Sequence, residues 1–251
     1  MAAPYERDDS GTSPLERALD RYRQLVDSDD VVIVSDRRHG QAARDQVPDA
    51  LILPEPQPRH SAASIALAAV AIDRPAGETM VVVTTDHDVA DGDGLRATVA
   101  AIDAQLAAAE PTVLPPLVTL AVRPQSGVEG PSHLQRGTGA AIRAGDVRLL
   151  PVARVEPHPD MTLAKDLYER GTTYWPAGVF VWTRGAILAA LERYTPLLTL
   201  IEPAYRSDLA LQAAYDRMQP LSIDDAVLIG AADDGTLVMA PLDLGWRPLD
   251  P

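Results

Sequence analysis

The chain has 251 residues, 22 Lys and Arg against 36 Asp and Glu, a net charge of −14 and no cysteine. That balance removes the basic face that nucleic-acid backbones and anionic bilayers select. The lack of thiols removes disulfides, thiolate nucleophiles and thiolate metal sites. The polar opening MAAPYERDDSGTS lacks the basic and apolar regions of a secretory leader. With no apolar run of the roughly 18 residues that cross a bilayer, a cytoplasmic protein without nucleic-acid or membrane partners is expected.

Residues 1–12 read as a flexible arm and 13–251 as one domain, with a split near 125–145 as the alternative. Ser13 as a cap, Pro14 in the first turn and Glu16 three residues after the cap start a helix. Leu15, Ala18, Leu19, Tyr22 and Leu25 carry its apolar face toward Asp27. VVIVSD at 31–36 is a β-branched run suited to a strand covered on both faces. A short helix at 41–47, a short strand at 50–53 and an Ala-rich helix at 61–73 follow. MVVVTTDH at 80–87 is a further strand ending on two ionisable groups, 93–109 a helix, and LVTLAV at 117–122 a strand. Such alternation predicts a three-layer α/β/α, Rossmann-like domain with a mainly parallel sheet. Beyond residue 145 the pattern changes to a longer, more exposed strand, VRLLPVARVEP. A helix at 161–170, the strand GVFVWT and a helix at 184–194 complete the series.

Ligands of open α/β sheets bind beyond the carboxyl ends of the strands, which is where Asp86 and His87 fall. An Asp there suits Mg²⁺, which takes oxygen ligands and substrate phosphates, or it caps the next helix; the residues leave both open. Asp243, after the apolar run TLVMAPL, is a second carboxylate in an equivalent place. If the two converge they make a two-carboxylate Mg²⁺ site for phosphate chemistry. Glu156 at the end of VARVEP, and Tyr174 with Trp175, suit a ligand wall or ordinary packing. The five His show no metal-ligand spacing, and P-loop, G-x-G-x-x-G and G-x-S-x-G signatures are all missing.

Taken in order, several segments resemble the sugar-1-phosphate nucleotidyltransferase family, most closely its mannose-1-phosphate guanylyltransferase (GDP-mannose pyrophosphorylase) branch. The similarity runs from about Ser13 to Trp246. LILPEPQPRHSAASIALAA matches an E-P-x-x-R-N-T-A segment through Glu55, Pro56, Arg59 and Ala62, with His60 and Ser61 standing for Asn and Thr. VVVTTDH matches a strand ending in Asp-His, LSIDDAVL an S-I-D-x-x-V segment, and LDLGW a D-x-G-W segment. VARVEP and TTYWPAGVFVWT resemble F-x-E-K-P and W-N-x-G-x-F. The resemblance implies a nucleotidyltransferase-like fold and Mg²⁺-dependent transfer of a nucleotidyl group from a nucleoside triphosphate to a sugar 1-phosphate. It gives Asp86 and Asp243 the metal and catalytic role, Glu55, Arg59, His60 and Ser61 the nucleotide side, and Glu156, Trp175 and Gly178 the sugar side. Ligands of the GTP and GDP-mannose class follow, with a homo-oligomer or an active paralogue as protein partner.

Departures from the family pattern point to an alternative. No counterpart of the family's Gly-rich, Arg- and Lys-bearing phosphate loop is found. Pro157 replaces the E-K-P Lys, Pro176 the Asn after Trp175, and Glu129, Gly130 and Pro131 a Gly-Tyr-Gly loop. These changes imply a catalytically silent homologue that binds a nucleotide sugar or pairs with an active paralogue.

Overall fold

Two helical crossovers in the main sheet return their strands parallel to the ones before them, but with another strand lying in between. A computed structural model describes residues 4–109, 115–128 and 130–249. Glu129, expected beside the sugar, lies outside the described residues.

The first helix, α1 (Pro14–Asp20), begins with the expected capping box: Ser13 Oγ accepts from Glu16 N–H, and the Glu16 carboxylate accepts from Ser13 N–H. It stops at Asp20, short of Asp27, because Arg21 turns inward and buries its guanidinium against the carbonyl of His87. Next come β1 (Val32–Asp36), α2 (Gly40–Gln46), β2 (Leu51–Glu55) and the Ala-rich α3 (His60–Ala71). Ala62, Ala63, Ala66 and Ala69 are almost fully buried, and their small side chains let α3 lie close to its neighbours. The run predicted as one strand at 80–87 divides into β3 (Thr79–Val83) and β4 (His87–Val89). Between them Thr84 donates its N–H to Gly178 O and its hydroxyl to Asp86, turning the chain.

The remainder is α4 (Gly92–Ala107), β5 (Leu117–Val122), β6 (His133–Arg136), β7 (Ile142–Ala144) and β8 (Val147–Glu156). After these follow α5 (Met161–Arg170), β9 (Thr173–Thr183), α6 (Arg184–Tyr194), α7 (Leu197–Ile201) and α8 (Asp208–Asp216). A π-helical turn, Asp224–Leu228, leads into α9 (Ile229–Asp233), β10 (Leu237–Leu242) and β11 (Trp246–Pro248). Helices α5 and α6 have the bounds expected from the sequence.

The main sheet is mixed, which corrects the expectation of a mainly parallel one. β3 and β5 are parallel to each other, as a helical crossover requires, yet β9 lies between them and runs antiparallel to both. β8 and β9 are likewise parallel, with antiparallel β6 between them. β10 adds parallel to β5, and β7 pairs antiparallel with β8 at the other edge. Alternate residues of β9 serve opposite cores: Phe180 and Trp182 face α3, α6 and the C-terminal helices, whereas Val179 and Val181 face α4. The result is a three-layer α/β/α molecule. No helix among the described residues is long and apolar enough to cross a membrane.

β1 and β2 stand apart as a two-stranded parallel sheet with a small core of its own, Leu15, Ile33, Ala43 and Ile52, against which Tyr5 packs. β1 is bonded only to β2, and β3 only to β9, so each has an edge without a strand among the described residues. Two-stranded sheets are marginal on their own, and opening free energies vary across a fold with the local packing. Amides of β1 and β2 should therefore exchange with solvent at least about tenfold faster than those of β5 and β9. Equal protection across both sheets in native-state hydrogen exchange would mean that they open as one unit.

Candidate active site

The strand register gathers most of the candidate residues at one end of the main sheet. Val83 lies opposite Val179, Val122 opposite both Trp175 and Leu242, Leu134 opposite Tyr174, and His133 opposite Glu156. The carboxyl ends of β3, β5 and β10 thus emerge together with the first half of β9, and β8, which runs antiparallel to β10, ends with Glu156 opposite His133 at the start of β6. Asp86, Asp243, Glu156, Trp175 and Gly178 all belong to this end, the place where open α/β sheets bind ligands.

Asp86 is exposed, and its environment is built in detail. Thr84 Oγ1 donates to Asp86 Oδ1 at 2.5 Å, and His87 Nδ1 lies 3.4 Å from the same oxygen. Hydrogen bonding from His87, then from Thr84, holds the carboxyl below its ordinary range against partial burial. The His87 ring is 1% exposed and stacks on Trp246 with centroids 6.2 Å apart, while Trp246 Nε1 donates to Ala177 O at 3.0 Å. Gly178, at φ 74°, completes the packing: a Cβ there would collide with Thr84 Oγ1 and sit 3.0 Å from His87 Nδ1. Behind them Arg21 donates to His87 O at 3.0 Å and, with Arg247, pairs with Asp88.

Asp243 is exposed and makes no ion pair among the described residues. It and Asp86 flank the short antiparallel ladder of β4 and β11. Leu249 N donates to Asp86 O beyond one end of that ladder, and Leu244 O accepts from Ala90 and Asp91 beyond the other. No group of three or more His, Asp or Glu among the described residues is arranged to hold a metal. Asp86 and Asp243 are each a hard oxygen donor of the kind Mg²⁺ takes when waters and phosphates supply its other ligands, and the ladder stands between the two.

The nucleotide-side candidates form a different structure. Glu55, 7% exposed, accepts from the Tyr215 hydroxyl and from Ser64 Oγ, both at 3.0 Å. Burial raises its carboxyl above the ordinary value despite those bonds, and the neighbouring Asp36 adds to the rise. Arg59 Nε donates to Tyr215 O at 2.8 Å, and Ser61 Oγ accepts from Ile223 N at 2.8 Å. Glu55, Arg59 and Ser61 thus tie β2 and α3 to α8 and to the segment before the π-helical turn. His60 is exposed in the left-handed region at φ 63°.

On the sugar side, Trp175 is 4% exposed and its Nε1 donates to His133 Nε2 at 3.0 Å. That bond assigns the proton to His133 Nδ1, which donates to Thr173 Oγ1 at 3.0 Å, and burial holds the imidazole below its ordinary range. Glu156 pairs with Arg154 at 2.9 Å. Sequence reasoning missed His133, a lone His without spacing, and Tyr215, whose helical position reads as core.

Substitution of Gly178 by Ala is expected to cost about 1–3 kcal/mol through strain at a positive φ, read as a lowered midpoint in urea; unchanged stability would mean that the Thr84 and His87 contacts are not tight. A second expectation concerns pH. Because the folded pKa of Glu55 is raised above about 4.5, the folded state holds more protons between that value and the raised one. Its stabilising contribution is present below pH 4.5 and is lost as pH rises through the folded pKa. Glu55→Gln should flatten that part of the stability profile, and Tyr215→Phe, by removing a donor to the carboxylate, should widen it. Profiles that superimpose on the wild type would overturn the assignment.

No protein-family model matches the chain. It is 29% identical over 206 residues to the mannose-1-phosphate guanylyltransferase of Escherichia coli, covering 78% of this chain and 41% of that protein. To the xanthan biosynthesis protein XanB of Xanthomonas campestris it is 28% identical over 231 residues, covering 86% and 46%. The chain spans less than half the length of these curated relatives. Among solved structures, a Thermus thermophilus protein described as a mannose-1-phosphate geranyltransferase superposes with a TM-score of 0.75 at 23% identity, covering 95% of this chain and 67% of that one. The Helicobacter pylori mannose-6-phosphate isomerase superposes with a TM-score of 0.77 at 22% identity, covering 97% and 94%. Over most of its length the chain is a homologue of proteins named mannose-1-phosphate guanylyltransferase, and it has the fold of the sugar-phosphate nucleotidyltransferases.

Proposed function

We propose that this chain acts as a nucleotidyltransferase of the mannose-1-phosphate guanylyltransferase type, on soluble substrates in the cytoplasm. In that reaction a phosphate oxygen of mannose 1-phosphate attacks the α-phosphorus of GTP in line. The bond from that phosphorus to the β-phosphate oxygen breaks, and pyrophosphate leaves. The observation that carries the reading is Asp86, an ionised carboxylate at the carboxyl end of β3 whose position is fixed by Thr84, His87 and Gly178.

Asp86 and Asp243 would hold Mg²⁺, and the bound ion supplies charge neutralisation to the phosphates. The chain itself is strongly acidic, so a triphosphate needs such compensation to approach. Glu55, Arg59, His60 and Ser61 would border the nucleotide through the segment they brace, with Glu156, Trp175 and Gly178 toward the sugar. The work of these residues is to orient the two substrates in line.

A second reading, nucleotide-sugar binding without turnover beside an active paralogue or a second copy, draws on two observations. Pro176, opposite Ala121 in the β5–β9 ladder, offers no side-chain donor, and the Trp175 N–H is already committed to His133.

Calorimetric titration of GTP and of GDP-mannose, with and without Mg²⁺, tests both. Binding that needs Mg²⁺ and weakens at least about tenfold in Asp86→Asn, a loss of about 1.4 kcal/mol, is expected. Pyrophosphate release then separates turnover from binding alone. A folded protein that takes up neither ligand would overturn both readings.

A further inference from the structure

In a chain whose net charge is −14, three basic residues stand in succession where β1 ends: Arg37, Arg38 and His39 form a 3₁₀ turn directly after Asp36. The turn is braced by its own neighbours. Asp36 accepts the Arg38 N–H at 2.8 Å and takes one edge of the Arg38 guanidinium, Nε to Oδ1 at 3.1 Å and Nη2 to Oδ2 at 2.7 Å. The His39 ring stacks on Tyr5 with centroids 5.4 Å apart, which holds the turn from the side of the N-terminal residues. The Arg38 side chain is nonetheless 77% exposed, and its Nη1 has no partner among the described residues. Arg37 is exposed, and its whole guanidinium is without a partner among those residues.

The carboxylates of β1, β2 and α2 are all engaged elsewhere. Asp36 is taken by Arg38, and Glu55, its register partner on β2, is buried and accepts from Tyr215 and Ser64. Asp45 accepts from Gln41 Nε2 at 2.8 Å. The place of the turn in the fold gives these free cations a meaning. β2 runs parallel to β1, α3 returns from the carboxyl end of β2, and β3 then leaves in the direction of β2. Val34, Leu53, Met80 and Val82, from all three strands, pack against the core that α3 helps to form. Arg37 and Arg38 thus stand beside the nucleotide-side residue Glu55, on the same side of the fold as Asp86. Among the described residues no strand lies along the second edge of β1 or of β3, and both guanidinium groups are open to solvent.

We propose that Arg37 and Arg38 form a polyphosphate-binding site at the carboxyl end of β1, taking the terminal phosphates of a nucleoside triphosphate or the pyrophosphate released from it. The identity of the ligand rests on the nucleotidyltransferase reading above, whereas the site rests on the turn. A guanidinium presents paired N–H donors along a planar edge, which matches two phosphate oxygens. Arg37 offers such edges unused, and Arg38 is already oriented by Asp36, so little ordering is left to be done on binding. A nucleic acid carries the same phosphates but must lie along the acidic surface around the turn, which a small anion need not do.

The test follows the Arg37 and Arg38 Nε–H resonances by NMR while GTP, pyrophosphate, guanosine or sulfate is added at constant ionic strength in the presence of Mg²⁺. GTP and pyrophosphate should shift them, and guanosine and sulfate should not. Arg37→Ala should weaken GTP at least about fivefold, whereas Arg148→Ala, which removes another exposed charge, should leave it within about twofold. Because the Arg37 side chain makes no hydrogen bond or ion pair among the described residues, the urea midpoint of Arg37→Ala should match the wild type. A shift that saturates at lower GTP than pyrophosphate assigns the site to the triphosphate, and the reverse order assigns it to the leaving group. If pyrophosphate shifts Arg37 while GTP fails to bind, the site stands and the nucleotidyltransferase reading falls. If GTP binds with dependence on Mg²⁺ and Asp86 yet neither the Arg37 resonance nor the affinity of Arg37→Ala changes, the reading stands and the site falls. Sulfate acting as strongly as pyrophosphate, equal weakening in the two variants, or no shift with either polyphosphate would also overturn the site.

Discussion

β9 is bonded along both edges, to β3 and β5 over one half and to β5 and β6 over the other. The rest of the molecule is arranged around that constraint. Its alternate side chains are shared between two cores, so neither helical layer can shift without disturbing the other. Its first half lies at the end of the sheet that gathers the candidate residues, where Gly178 admits Thr84 and His87 at distances that no side chain would allow. The position of Asp86 therefore depends on the central strand's backbone more than on any contact of its own.

Much of this was legible in the sequence. Capping at Ser13, the extents of α5 and α6 and the buried run of β5 depend on local spacing, which a sequence displays directly. Strand direction was not legible, because helical alternation shows which strands are mutually parallel but not that an antiparallel strand has entered between them. The shortening of α1 was hidden for a similar reason: the pull on Arg21 comes from His87, 66 residues further along.

The candidate site was legible in the same uneven way. Carboxylates at strand ends announce themselves, and Asp86, Asp243 and Glu156 do share one end of the sheet. The groups that support them do not, because their roles are assigned by distant partners. Tyr215 meets Glu55 across 160 residues and Trp175 meets His133 across 42. In both cases an aromatic side chain places a donor against a buried polar group, so that packing and polar satisfaction are met by one residue.

Among the described residues no strand covers the second edge of β3, and that has a consequence for the protein in bulk. It presents a row of backbone donors and acceptors on a strand that reads TMVVV, half-buried throughout and without charge, proline or bulge to blunt it. Such an edge is a template for an extended apolar segment from any other chain. A second chain that the acidic surface lets approach would thus meet its foothold on one strand five residues long.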